Sequence, residues 1–174
     1  MQKSLPLVIL LLLGAIASHS QELSRPSPLA IASIRVKETY LKITYSQPKK
    51  RGREIFGNLV PYGQIWRMGA NEAAEITLTK DILMQGTILK AGTYSLFSIP
   101  QKDKWTIIIN QDLGLWGAYN YNVEMDIMRF DIPVQISDKF YESFTMTFSQ
   151  RNDSADLLIA WDRLNITVPI KFTN

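Results

Sequence analysis

The chain has 174 residues, of which 46% are hydrophobic and 20% are charged; this length and composition are typical of one globular domain rather than a disordered chain. Its formal net charge of +3 is too small to indicate nucleic-acid binding, which normally needs a concentrated basic face. The chain contains no cysteine and one histidine, His19, so disulfides and Cys-His catalytic pairs are excluded.

The first 20 residues have the pattern of a secretory signal peptide. Lys3 gives a positive start, an apolar run extends from Leu5 to Ile16, and small residues follow. These features are typical of an export signal, and the apolar run is shorter than the about 20 residues that a membrane-spanning helix needs. We therefore predict cleavage after Ser20 and a periplasmic or secreted product with no transmembrane anchor.

Cleavage after Ser20 has a chemical consequence, because it also removes His19. The mature chain would then contain neither histidine nor cysteine. A Ser-His-Asp triad and zinc sites built from these ligands are excluded, and so is a lipid anchor on a cysteine. Carboxylate, lysine or tyrosine chemistry, an oxygen-ligated metal, or binding without chemistry remain. We predict no cofactor and no metal.

Short strands separated by turns are predicted from residue 30 onwards, after an extended leader over residues 21–29 that contains two prolines. Apolar and polar side chains alternate around Leu41, Ile76 and Met146, and this period of two is typical of strands with one buried face. About eight to ten such strands over residues 30–174 predict a single all-β domain, an antiparallel β-sandwich of the jelly-roll type.

Two pairs of neighbouring strands are predicted in more detail. Residues 94–99 and 105–110 flank a polar turn over residues 100–104, which is typical of a hairpin. Nearer the C-terminus, residues 157–161 and residues 166–172 are each rich in apolar side chains. We predict that they form two separate strands.

Two segments interrupt the alternation, and we predict that both are long irregular loops. The first spans residues 47–75 and contains four glycines and two prolines. The second spans residues 110–121 and contains two glycines beside several aromatic residues. Long irregular loops are uncommon in compact domains and are often functional.

The two loops supply the candidate ligand-binding residues, which are Arg53, Tyr62, Trp66, Arg67, Asn71, Glu72, Trp116 and Tyr119. Aromatic rings can form a platform for the apolar face of a sugar or peptide, while polar groups fix its hydroxyls or charges. Arginines can hold a carboxylate or phosphate through two hydrogen bonds. The same residues can instead stabilise the fold, since tryptophans fill sandwich cores and an Arg–Glu pair can tie down a loop. Both interpretations stay open.

Several strings resemble the DUF2911 family: GREIFGNLVPYGQIWRMGANEAAEI over residues 52–76, LKAGTYSLFSIP over residues 89–100, and WTIIINQDLGLWGAYNY over residues 105–121. Residues 155–170, ADLLIAWDRLNITVPI, are similar to the closing strands of that family. The resemblance covers residues 27–170 and implies a β-rich exported domain of a kind found mainly in Bacteroidota. The family has no known function, so the resemblance implies no catalytic residue.

The leading functional hypothesis is a non-catalytic binding module for a glycan, a peptide or another component of the cell envelope. A structural or assembly module without a small-molecule site is the first alternative. The second is a carboxylate-dependent hydrolase with Glu72 and Glu75 as its acids and Asp112 as a third candidate. Such a hydrolase requires two exposed acids facing one cleft, at least one with a raised pKa.

Overall fold

The computed structural model describes residues 25–173, which form ten β-strands and one short 3-10 helix. The strands are β1 (Leu29–Val36), β2 (Thr39–Ser46), β3 (Ala70–Leu78), β4 (Ile82–Met84), β5 (Thr87–Leu89), β6 (Gly92–Pro100), β7 (Lys104–Asn110), β8 (Asp126–Pro133), β9 (Gln135–Arg151) and β10 (Ser154–Phe172). The 3-10 helix, Val123–Met125, lies between β7 and β8. Within this part of the chain, no helix has the length and apolar character needed to cross a membrane. The predicted signal peptide lies outside the described residues.

The strands form two antiparallel sheets that pack face to face. The larger sheet has the order β1-β2-β3-β6-β7-β8, and the smaller sheet has the order β5-β4-β10-β9. Neighbouring strands pair antiparallel in both sheets. This architecture confirms the sequence prediction of a single all-β domain with a sandwich arrangement.

The alternation of apolar and polar residues places one face of each sheet in the interior. Leu41, Ile43 and Tyr45 of β2 are buried, and so is Ile76 of β3, which lies opposite Ile43 in the sheet register. Full burial of a side chain of this size stabilises a fold by about 1.5–3 kcal/mol relative to exposure. The period-two pattern therefore arises because alternate side chains of a strand face the interior.

The predicted hairpin over residues 94–110 is present. β6 and β7 pair antiparallel, and the register runs from Ser95 opposite Asn110 to Pro100 opposite Trp105. The connecting turn is closed by a hydrogen bond from the backbone N–H of Gln101 to the carbonyl of Lys104, at 2.8 Å. This short turn fixes which strand positions face the interior.

The prediction of two C-terminal strands is wrong, because residues 157–161 and residues 166–172 belong to one continuous strand, β10. The polar residues between them form irregularities in the pairing with β9 on both sides of Asp162. Asp162 has a positive φ of 58°. A bulge of this kind absorbs a local interruption without ending the strand.

The first loop is shorter than predicted, because residues 70–75 form the beginning of β3. The remaining segment, residues 47–69, follows β2. Trp66 in this segment forms an isolated antiparallel bridge with Ser98 of β6, with N···O distances of 2.7 and 2.9 Å. The pairing of β3 with β6 reaches only as far as Leu96 of β6. Trp66 therefore takes the place beside β6 that β3 leaves.

The second loop, residues 111–122, covers part of the outer face of the larger sheet. Phe97 and Ile108 form the centre of a small apolar cluster there, and Leu115 and Tyr121 of the loop pack against it. The rings of Phe97 and Tyr121 meet edge to face with centroids 5.1 Å apart. One side of the second loop is thus fixed to the sheet, and the other side faces solvent.

Candidate functional site

The two loops meet at the beginning of β3. Glu72 and Trp116 form an isolated antiparallel bridge. The backbone N–H of Gly117 donates to the carbonyl of Asn71, and that of Ala73 donates to the carbonyl of Leu115, both at 2.9 Å. The second loop therefore continues the sheet beside β3 and brings residues 116–119 next to residues 67–72.

The turn into β3 depends on a glycine. Gly69 has a φ of +152°, and a Cβ atom at this position would lie 2.6 Å from the carbonyl oxygen of Ser46. Such a distance is far below van der Waals contact, so a larger residue would push β2 and β3 apart. Gly69 thus allows the chain to pass close to β2 at the point where the first loop joins β3.

A surface cavity of about 160 Å³ lies between the first loop, the leader and the beginning of β3. Ser27 and Ala70 line it on one side, and Trp66 and Trp161 line it from the core. Its volume is close to that of a cavity of about 150 Å³ that admits benzene. The space is therefore large enough for a small ring or a short chain.

Arg67 lines this cavity and is partly buried. Its Nε atom is buried and makes no hydrogen bond, and among residues 25–173 its guanidinium forms no ion pair. Burial lowers the pKa of Arg67, because it removes water from the charged form, and the nearby phenol of Tyr119 partly offsets this effect. A desolvated charge without a partner is unfavourable.

Arg53 also lines the cavity, but its guanidinium has partners. Its Nε donates to the carbonyl of Lys50 at 3.0 Å, and its Nη2 donates to the carbonyl of Lys49 at 2.6 Å. These bonds close the turn that begins the first loop. Arg53 therefore has a clear role in the fold, whereas Arg67 has none of this kind.

The predicted aromatic platform does not include Trp66, whose side chain is only 6% exposed. Its ring is nearly parallel to that of Trp161, with centroids 6.1 Å apart, and its Nε1 donates to the carbonyl of Gly69 at 3.1 Å. Tyr62 is half-buried and packs against the same core. The position beside β6 directs the side chain of Trp66 into the core, so that only its edge forms part of the cavity wall.

Trp116 and Tyr119, in contrast to Trp66, are exposed to solvent. Trp116 is 59% exposed and Tyr119 is 87% exposed. The phenol of Tyr119 is close enough to Arg67 to influence the pKa of its guanidinium, and Trp116 is held beside Glu72 through the backbone. These two rings are exposed to solvent, but neither of them lines the cavity.

Asn71 and Glu72 hold the leader against the sheet. The Nδ2 of Asn71 donates to the carbonyl of Ser27 at 3.4 Å, and Glu72 forms an ion pair with Arg25 at 2.8 Å. The pKa of Glu72 is lowered, first by a hydrogen bond from its own backbone N–H and also by the hydrogen bond and charge of Arg25. Both residues thus fix the wall of the cavity to which Ser27 belongs.

The sequence model of the family described as "Protein of unknown function (DUF2911)" matches residues 27–170. The chain belongs to the DUF2911 family. The match includes both sheets, both loops and every residue that lines the cavity. Searches of curated proteins and of solved structures found no match to the chain.

A second cavity of the DUF2911 domain, about 210 Å³, contains both carboxylates of the hydrolase hypothesis. Glu72 and Glu75 line it together, and Glu75 accepts a hydrogen bond from the backbone N–H of Gly114 at 3.0 Å. Asp112 is not among its lining residues. The lowered pKa of Glu72 is the opposite of what a general acid needs. Residues 25–173 contain no cluster of three or more histidine, cysteine, aspartate or glutamate side chains suited to a metal ion.

One polar network at the base of the second loop was not predicted. The hydroxyl of Tyr121 donates to Asp126 and accepts a hydrogen bond from Arg129, which also pairs with Asp126. Burial, followed by the hydrogen bond to Asp126, raises the pKa of Tyr121 to about 12. Nothing in the sequence pattern of β8 distinguishes Asp126 and Arg129 from ordinary exposed strand residues, since only the folded loop brings Tyr121 to them.

Trp161 and Ala70, which also line the first cavity, were not predicted from the sequence. Trp161 lies in β10 and is separated from Trp66 by most of the chain, so only the packing of the two sheets brings them together. The sequence alone does not show which apolar residues of a strand line a cavity. The cavity is therefore a product of tertiary structure and not of a local motif.

Proposed function

We propose that this DUF2911 domain is a non-catalytic binding module whose ligand, a glycan, a peptide or another component of the cell envelope, occupies the cavity beside Arg67. The observation that carries the proposal is the partly buried guanidinium of Arg67, which has no partner among residues 25–173. An unpaired charge in a desolvated position lowers stability unless a ligand provides its partner. Residues that lower stability in this way are typical of functional sites.

The composition of the cavity wall favours binding over catalysis. Arg67 and Arg53 supply positive charge, Trp66 and Trp161 supply apolar surface, and the lining contains no aspartate or glutamate among the described residues. General acid or base catalysis needs a group that exchanges a proton near neutral pH. Arginine does not do so, because it stays protonated.

The structural or assembly role is the second candidate, and a specific observation supports it. Arg53, Asn71 and Trp66 all make hydrogen bonds within the fold, as expected of residues that only stabilise a loop. Arg67 separates the two candidates, because its buried Nε has no hydrogen-bond partner among residues 25–173, whereas buried polar groups that only stabilise a fold are usually hydrogen-bonded. The binding module therefore accounts for one more observation than the structural module does.

A ligand screen with a blocked cavity tests this proposal. The mature domain is screened by thermal shift against envelope glycans and peptides, with the wild type compared with Ala70→Leu, in which the larger side chain occupies the cavity. A ligand at 100 times its Kd stabilises the folded state by about 2.7 kcal/mol, or about 5–10 °C in Tm for a domain of this size. We expect such a shift in the wild type and its loss in Ala70→Leu.

The matched control is Ala91→Leu. Ala91 is exposed and precedes the end of β6 that lies away from the first loop, so this change should leave ligand binding intact. A ligand that shifts Ala70→Leu as much as the wild type would exclude this cavity as its site. A screen with no shift in the wild type would favour the structural module.

We further propose that the chain acts outside the cytoplasm, in the periplasm or after secretion. The basis is the charged start, apolar run and small residues of the first 20 positions, which are typical of an export signal. The N-terminus of protein recovered from the periplasm or medium should be Gln21. Accumulation in the cytoplasm with Met1 still attached would contradict export.

A further inference from the structure

The guanidinium of Arg67 presents a specific geometry to the cavity. The two terminal Nη–H groups of an arginine form a planar fork that matches the two oxygens of a carboxylate. In Arg67 the Nε is buried and makes no hydrogen bond, so a ligand in the cavity reaches the guanidinium through its terminal nitrogens, which form no ion pair among residues 25–173. An anion in the cavity can accept both hydrogen bonds at once.

The uncompensated positive charge in the cavity wall is about one unit, which matches an anion with a single negative charge. Arg67 lines the cavity, and its guanidinium forms no ion pair among residues 25–173. The charge of Arg53 is partly compensated, because two carbonyl oxygens already accept its hydrogen bonds. A phosphate monoester carries about −1.5 to −2 at pH 7 and would need a second free cation, whereas a carboxylate carries a single charge.

The rest of the cavity is suited to a small apolar body. Leu59, Val60, Trp66 and Trp161 contribute apolar surface to the lining. The volume of about 160 Å³ is sufficient for one six-membered ring, by comparison with the benzene-sized cavity of about 150 Å³. A bare inorganic anion would leave these apolar surfaces without contact.

We infer that the cavity takes a small organic monocarboxylate, whose carboxylate pairs with the terminal Nη–H groups of Arg67 and whose apolar part lies against the part of the wall that Leu59 and the edge of Trp66 form. This inference rests on the proposed function and names the ligand class of the same cavity. The carboxylate can be a free acid or the end of a larger envelope component, since both present the same group to Arg67.

The test follows the Nε–H resonance of Arg67 by NMR at pH 7 with three probes: benzoate, benzamide and inorganic phosphate. Benzoate and benzamide have nearly the same shape, but only benzoate is charged. We expect benzoate to shift the Arg67 resonance in a saturable manner and to bind at least about tenfold more tightly than benzamide, which corresponds to about 1.4 kcal/mol. Phosphate should cause a smaller, weaker shift.

Arg67→Gln and Arg67→Lys give the matched comparison, with Trp fluorescence as a readout that does not need the Arg67 signal. Arg67→Gln should bind benzoate no better than benzamide, and Arg67→Lys should recover part of the preference, because it restores the charge but not the fork. Arg35→Gln is the control. Arg35 is exposed on β1 and lies over the ring of Tyr40, so its loss should change nothing.

The outcomes separate this inference from the proposed function. Equal binding of benzoate and benzamide, abolished in Ala70→Leu, would overturn the carboxylate inference and leave the cavity as a binding site. Tighter binding of phosphate than of benzoate would overturn it in favour of a phosphate ligand. Unchanged benzoate binding in Arg67→Gln, or no benzoate-dependent shift at Arg67 in the wild type, would also overturn it. Ligand binding that is insensitive to Ala70→Leu would reject the cavity itself.

Discussion

The two loops of this domain are alike in composition and opposite in structure. Both combine glycines with aromatic residues, yet Trp66 of the first loop is buried and packs on Trp161. Trp116 and Tyr119 of the second loop are largely exposed. Aromatic content alone therefore does not indicate whether a loop fills a core or presents a surface.

The difference follows from how each loop is attached to the larger sheet. Trp66 pairs with β6 at Ser98, at a position where β3 no longer does, and its side chain joins the interior cluster. The second loop lies over the outer face and pairs with β3 through Trp116, so only one of its sides contacts protein. Strand pairing by a few backbone groups thus decides the direction of the aromatic side chains.

The largest expected effect compares the two tryptophans directly. Trp66→Ala should lower the unfolding free energy by about 3–5 kcal/mol, since it removes a buried indole and leaves a cavity. Trp116→Ala should change it by about 0.5 kcal/mol or less, as is usual for an exposed position. Urea unfolding followed by circular dichroism measures both values. Similar losses in the two variants would contradict the contrast between the loops.

The second loop is fixed at its base by Tyr121, and this contact gives a smaller effect. Tyr121→Phe removes the hydrogen bonds to Asp126 and Arg129 and should cost about 1 kcal/mol at pH 7. In the same variant we expect Trp116 to become more exposed, because the second loop loosens. The near-ultraviolet circular dichroism of the buried aromatic residues should not change, because the sandwich remains folded. Acrylamide quenching would detect the exposure of Trp116, and near-ultraviolet circular dichroism would report the packing of the core.

Tyr121 also predicts a pH dependence. Its pKa is raised from 10.0 to about 12 in the folded state, so the unfolded chain ionises first as pH increases. The stabilising contribution is complete below pH 10 and is lost as pH rises from 10 towards 12. Wild-type stability should therefore fall over this range more steeply than that of Tyr121→Phe. Parallel curves for the two proteins would show that Tyr121 does not titrate as described.

Loss of the contact between Glu72 and the leader should lower the unfolding free energy by a still smaller amount. The pKa of Glu72 is lowered below its ordinary value of 4.5, so its contribution is present above that pH and is lost as pH falls through the lowered value. The pair with Arg25 is exposed, and such pairs contribute about 0.2–1 kcal/mol. Glu72→Gln should cost no more than this at pH 7 and should flatten the acid limb of the stability curve.

The fold was largely predictable, because the alternation around residues such as Leu41 and Ile43 is a direct consequence of strand geometry. The continuity of β10 was not predictable, since the polar stretch around Asp162 looks like a turn. In the folded protein, Asp162 takes a positive φ and the interruption becomes a bulge. A single sequence does not distinguish a turn from a bulge when both favour the same polar residues.

The candidate site was predictable only in part. Residues 67–72 and residues 116–119 lie together. For Trp66 the sequence left open both a surface platform and a role in the core, and the structure shows it buried. Trp161 and Ser27 were not predicted as part of the site. Irregular loops have no side-chain period, so the direction of Trp66 depends on its backbone pairing with Ser98. The absence of a partner for Arg67 within residues 25–173 is likewise a property of the packed structure.

The most direct test of a binding role for Arg67 is urea unfolding of the wild type and of Arg67→Met, each with and without saturating benzoate. Without benzoate, we predict that Arg67→Met is at least as stable as the wild type, because it removes a partly desolvated charge that lacks a partner among residues 25–173. With benzoate, only the wild type should gain stability. A ligand-free variant less stable than the wild type by about 1 kcal/mol or more, with no difference in the response to benzoate, would contradict a binding role for Arg67.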